Sequence, residues 1–222
     1  MDGERTAAAF TQRLAALKRR GAGLLVVGAA GDGSHLALSR RLLGDARAGP
    51  RRRALVLVDG RGGPAERVPE GERGGDRLQV VDRRPLTRGA AQAEPAPAAG
   101  RGPLDVGSIE RDALAAVDSL ADAAGGFVTS ELRLCVDSLR PLVDRHGVDG
   151  TVPLVRALVE RTREERGIAH FHLPVPYGTD VVAELAGSFD AVIELRPGEQ
   201  RWHVPRDDIE TGWLPVESRR RV

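Results

Sequence analysis

Apolar positions in this chain follow two rhythms that alternate along its length. Short, mostly apolar runs occupy residues 24–27, 54–58, 78–81, 132–136 and 168–173; the first two are unbroken, and the others hold Gln79, Arg133, and His170 with His172. Runs of this kind predict strands covered on both faces within a parallel sheet. Helical spacing fills the gaps between them. Residues 4–20 place Phe10, Leu14 and Leu17 on one side and end on Lys18, Arg19 and Arg20, where the helix dipole favours positive charge. Residues 34–43 predict a second helix with Leu36, Leu42 and Leu43 inward. Ser108 is the expected N-cap of a third, with Ile109, Leu114, Val117, Leu120 and Ala121 as its buried stripe. A short helix over 138–145 is expected to stop at Gly147, and another to start at Thr151 with Val155, Leu158, Val159 and Thr162 inward. Thr179 or Asp180 should cap a last short helix through Ala186. Residues 191–195 and 200–204 flank Pro197-Gly198 and predict a hairpin.

This order predicts an α/β fold in three layers, with a mostly parallel central sheet, helices on both faces and a C-terminal antiparallel hairpin. The length suits one domain over 1–222. Residues 60–76 are rich in glycine, proline and charge without a period, which predicts a surface loop. Residues 83–103 are low-complexity Ala, Pro, Gly and Arg, too poor in large apolar groups to order themselves, and a mobile insertion is expected there. In the tail, 206–222, Ile209, Trp213 and Leu214 are the expected anchors and the basic end should fray.

Charge adds little to this picture. Lys+Arg 33 against Asp+Glu 32 gives a net +1, so no overall field draws nucleic acid or an anionic membrane. The arginine clusters at 51–53 and 219–221 come with only 3% aromatic residues to stack bases, and are expected to be solvated. Cys135 is the single cysteine, so an internal disulfide is excluded and a buried, inert thiol in a reducing compartment is expected. The charged start and short apolar runs predict a soluble cytoplasmic protein without a membrane span.

Two strand ends carry the candidate chemistry. After residues 24–27 comes Gly28-Ala29-Ala30-Gly31-Asp32-Gly33-Ser34-His35, which aligns with the phosphate-loop pattern G-x-x-x-x-G-K-[ST]. Its glycines are in register, and backbone N–H groups at such a turn can cradle phosphate. Ser34, however, stands where the lysine belongs, and His35 where a Mg²⁺-binding hydroxyl belongs. Lys18, the only lysine in the chain, is not available to this position. Losing one such electrostatic contact costs on the order of 3 kcal/mol. The second strand end is Asp137-Ser138. A carboxylate there sits where ligands bind in open α/β sheets and can hold hydrated Mg²⁺. Alternatively, Asp137 and Ser138 only end a strand and cap a helix. His170 and His172 share one strand face, but two ligands are too few for a metal and His35, His146 and His203 are scattered in sequence.

With both stretches in view, the order of parts resembles the RecA/KaiC-like P-loop ATPase superfamily, and most closely archaeal, chiefly haloarchaeal, KaiC-like proteins with a degenerate Walker A loop. The likeness rests on the 28–35 loop, the strand Leu132-Arg-Leu-Cys-Val-Asp-Ser-Leu, the strand His170-Phe-His-Leu-Pro, and Phe189-Asp-Ala-Val-Ile-Glu-Leu-Arg followed by Arg201-Trp-His. It implies a RecA-like fold and, for a retained nucleotide site, ATP with Mg²⁺ held by Gly28, Gly31, Gly33, Ser34 and His35. Asp137 and Ser138 would be the Walker B-like pair and His172 the phosphate sensor. Where relatives have glutamates after the second strand to activate water, this chain has only Asp59, the one weak catalytic candidate. The basic Lys-x-Arg feature of relatives has no clear match near Arg201. The expected function is therefore a non-catalytic RecA/KaiC-like domain with a regulatory or scaffolding role, with a protein partner or a second copy of itself as the expected partners, and not nucleic acid. The alternative is a residual ATP-binding protein or slow ATPase.

Overall fold

The computed structural model describes residues 2–44, 49–59, 62–73, 75–84, 102 and 104–216. In chain order it contains α1 (Asp2–Arg20), β1 (Ala22–Val27), α2 (Asp32–Leu43), β2 (Arg52–Leu57), α3 (Pro64–Arg67), β3 (Leu78–Asp82), α4 (Val106–Ala124) and β4 (Leu132–Val136). There follow α5 (Arg140–Glu164), β5 (Ile168–Leu173), α6 (Asp180–Ala186), β6 (Ala191–Arg196), β7 (Glu199–Val204), β8 (Ile209–Glu210) and β9 (Leu214–Pro215). The strands form one sheet in the order β3-β2-β4-β5-β1-β6-β7-β8, and β9 also pairs with β7. Pairing is parallel from β3 through β6 and antiparallel from β6 onward.

Side chains alternate across the pleat and so divide the core between two faces. Leu25 and Val27 of β1, Ala54 and Val56 of β2 and Leu134 and Val136 of β4 pack with Ile109, Val117 and Leu120 of α4 and Leu154 and Leu158 of α5. Leu24 and Val26 face the other way, onto Leu17 of α1 and Leu38 of α2. Leu55, Leu57 and Cys135 share that second side with Leu43 and Val68. Burial of β1 along its whole length is what makes its sequence read as an unbroken apolar run; β4 is buried throughout as well, Arg133 included. At the start of β1, the Asp190 carboxylate accepts from Gly23 N–H and from Arg20 and Arg163, tying α1 and α5 to the sheet.

Several expectations need correction. The N-cap of α4 is Asp105, whose carboxylate accepts from the N–H of Ser108, so the cap lies three residues before the expected Ser108. Helix α2 begins at Asp32, not Ser34, because Gly31 already takes the N-cap position. Leu139 is the N-cap of α5, although the Ser138 hydroxyl does accept from Arg140 N–H. The break expected at Gly147, by contrast, is there: φ 70° and ψ 178° take the backbone out of the helix, so α5 is two helical segments meeting at a kink, and the Thr151 hydroxyl donates to Gly147 O. The 60–76 segment is not a plain surface loop: it holds α3 and two 3₁₀ turns, and buries Arg67 and Val68. Of the basic cluster 51–53, Arg53 is buried rather than solvated. The low-complexity segment lies outside the described residues except for 83, 84 and 102, as does the basic end after 216. Among the described residues no helix is long and apolar enough to cross a membrane.

Candidate functional site

The ends of β2, β4 and β5 and the first turns of α2 converge on one cleft at the carboxyl side of the parallel sheet. His35, Asp59, Arg67, Asp137, Ser138 and His172 line it, and its volume is about 110 Å³. This is where an open α/β sheet places ligands. Small-molecule pockets usually measure roughly 300 Å³ or more, so this cleft is small for a ligand site.

What occupies the space is His35. Its Nε2 donates to Gly28 O at 3.0 Å, because a carbonyl can only accept. In the neutral ring Nδ1 is then an acceptor, and the Nδ1–H of His172 donates to it at 3.0 Å. The imidazole at the metal-hydroxyl position thus closes onto the loop's own first glycine and onto the end of β5. Ser34, at the lysine position, does not line the cleft; its hydroxyl accepts from Gly198 N–H in the β6–β7 turn at 3.4 Å. Gly28 N–H donates to Val175 O and Ser34 N–H to Gly31 O, so two of the loop amides serve the backbone itself.

Asp137 is also turned to structural use. Its Oδ1 accepts from Val58 N–H at 2.8 Å, and the carboxylate receives a longer contact from Asp59 N–H. Burial raises its pKa to about 7, against the pull of those N–H groups and of nearby Arg67. The carboxylate ties the end of β4 to the turn after β2.

Beneath the cleft lies a polar cluster that one-dimensional reading separates widely. Cys135 of β4 and His170 of β5 are register partners. The Ser39 hydroxyl of α2 lies 3.5 Å from Cys135 Sγ and 3.3 Å from His170 Nε2, and Arg67 donates to Ser39 at 3.1 Å. Donor atoms of Cys135, His170 and His172 lie within 4.8 Å of one another, a set of the type zinc uses. Arg67 opposes a second cation there: its charge adds to burial in lowering His170 to about 3, and it also pushes His172 down. The Cys135 thiol is raised to about 11 by burial, which keeps it protonated. The cluster is therefore a neutral hydrogen-bonded core around one guanidinium.

A family description, "Family of unknown function (DUF7504)", matches residues 21–195, which run from β1 into β6 and take in the loop, Asp137 and the histidines of β5. The chain belongs to this family. No curated protein matches it. Within the DUF7504 span the structure brings His35, Asp59, Asp137, Ser138 and His172 to one rim, while Gly31 and Gly33 are exposed and do not line the cleft. It adds Arg67 to that rim and gathers Ser39, Cys135 and His170 beneath it, which sequence reasoning did not do. Ser39 follows His35 by four residues on α2 and so shares its face, a signal that was legible. Arg67 left none, since its segment has no period.

Proposed function

We propose that this chain is a non-catalytic RecA/KaiC-like domain that works by binding a protein partner, in a regulatory or scaffolding role. The observation that carries this is the His35 ring bonded to both Gly28 O and His172. In a working phosphate loop the same position offers a hydroxyl to Mg²⁺ and the adjacent lysine neutralises phosphate charge. Here an imidazole fills the mouth, Ser34 bonds to the hairpin turn, and Asp137 accepts from backbone N–H groups. The His35 ring, the Ser34 hydroxyl and the Asp137 carboxylate are each engaged within the fold.

The second reading is residual ATP binding, favoured by the shared rim on which His35, Asp59 and Asp137 meet. The two separate in one titration. Thermal melting of the full chain with ATP and Mg²⁺ should show no concentration-dependent rise under the first reading. Under the second it rises by linkage, and Asp137→Ala removes the rise. A saturable, Mg²⁺-dependent shift would replace the first reading with the second.

A further inference from the structure

At the end of the sheet opposite the cleft, two arginines face one another across a strand pair. Arg53 of β2 and Arg133 of β4 are register partners on the side covered by α2, and they are 1% and 6% exposed. Like charges directly opposite one another destabilise a sheet, and burial sharpens the effect. Arg53 is provided for: it donates to Leu43 O and Gly44 O and pairs with Glu72. Arg133 is not. Its Nε and Nη1 are buried with no hydrogen-bond partner. The charged groups that bear on it are Arg51 and Arg53, and burial followed by their repulsion lowers it to about 9. A buried cation that lacks both a counter-charge and hydrogen bonds is among the costliest groups a fold can hold.

Arg133 lines a cavity of about 270 Å³ between α1, α2 and the starts of β1 and β5. Leu14, Leu17, Leu24, Ile168 and Trp202 make its walls apolar. The charged groups around it are Lys18, Arg41, Arg51 and Arg133, and no carboxylate lines it among the described residues. Positive charge on an apolar floor complements an anionic head joined to a hydrocarbon body. The planar guanidinium fork fits a carboxylate or phosphate with two parallel hydrogen bonds.

We infer that this cavity is a binding site for a small amphipathic anion, its carboxylate or phosphate head against Arg133 and its hydrocarbon body along Ile168 and Trp202. Bound there, the anion supplies the counter-charge that Arg133 lacks. The site is separate from the cleft around His35 and stands or falls independently of nucleotide binding.

Calorimetric titration of the full chain with sodium octanoate, octyl phosphate, 1-octanol and sodium sulfate tests this. Octanoate or octyl phosphate should bind saturably at one site, and whichever binds more tightly names the head group. Octanol should bind at least about tenfold more weakly, the value of one charged hydrogen bond. Arg133→Met should reduce octanoate binding to the level of octanol, and should raise the melting temperature without ligand, since it removes an unpaired buried charge. If that variant does not fold, the comparison of octanoate with octanol on the unaltered chain decides alone. Equal binding of octanoate and octanol overturns the inference, as does octanoate binding that survives Arg133→Met. Sulfate binding as tight as octanoate also overturns it, because the apolar walls would then contribute nothing.

Discussion

The Nδ1 atoms of His35 and His172 lie 3.0 Å apart, joining the first turn of α2 to the end of β5 across 137 residues of chain. Together with the bond from His35 to Gly28 O, the contact binds the glycine loop to the sheet. His35→Ala removes this hydrogen bond and the one to Gly28 O, and leaves the buried His172 Nδ1–H without its partner. A loss of about 2–4 kcal/mol is expected, measured by urea denaturation. A change below about 0.5 kcal/mol would show that the ring contributes no closure.

Glycines of the same loop should differ sharply. Gly28 has φ 128°, and a Cβ there would lie 2.3 Å from Leu195 O, so Gly28→Ala should cost on the order of 3 kcal/mol or abolish folding. A Cβ on Gly33 would meet nothing within 4 Å, and the residue already lies in α2. Gly33→Ala should therefore stabilise by about 0.5–1 kcal/mol. Thermal melting of the two variants is the check, and a Gly33→Ala chain that melts lower would contradict the open placement.

Stability should respond to pH through two opposing sets of groups. His170, lowered to about 3 mainly by burial, and His172, lowered likewise, are neutral in the fold. Unfolded histidines titrate near ~6.5, so this contribution is complete above that pH and is lost as pH falls below it. Asp137 has the opposite sign. Its pKa is raised to about 7, so its contribution is complete below the ordinary carboxylate range and is lost as pH rises through 7. Asp137→Asn removes the offset. Its stability relative to the parent chain should climb between about pH 4 and pH 8, by up to roughly 4 kcal/mol, and its acid destabilisation should be steeper. Urea midpoints across that range that run parallel in the two proteins would refute the assignment.

Cys135 is fully buried with its thiol held protonated. Reaction with a neutral disulfide reagent should follow global unfolding, speeding with urea in step with the unfolded fraction. Rapid labelling of the native chain would contradict the complete cover of Cys135 by sheet and helix.

Glu72 supplies the carboxylate that meets Arg53 on the buried face. Glu72→Ala leaves Arg53 and Arg133 in register without it, and should cost about 3–5 kcal/mol in chemical denaturation. A cost near that of an exposed ion pair, under about 1 kcal/mol, would mean that solvent reaches the arginines.

Much of the architecture is local in origin and could be read in one dimension. The apolar runs mark β1, β2, β4 and β5 because those strands are covered on both faces, and Pro197-Gly198 marks the hairpin because turn chemistry is a property of neighbouring residues. Capping was less legible. Asp105 and Ser108 are both good cap residues three positions apart, and the choice falls to whichever backbone leaves the helix first. Arg53 and Arg67 look like solvated charges in a composition rich in arginine, and only the cover of α2 and α3 makes them core residues.

By itself the sequence determined the alternation of strand and helix, the acid at the end of β4, and the replacement of lysine and hydroxyl by Ser34 and His35. Those follow from periodicity, spacing and the chemistry of single side chains. The tertiary structure alone decided that His35 reaches His172, that Cys135 lies beside His170, and that Arg53 faces Arg133. Each of these depends on which strands are neighbours and in what register, and non-local pairing leaves no mark on the order of residues along the chain.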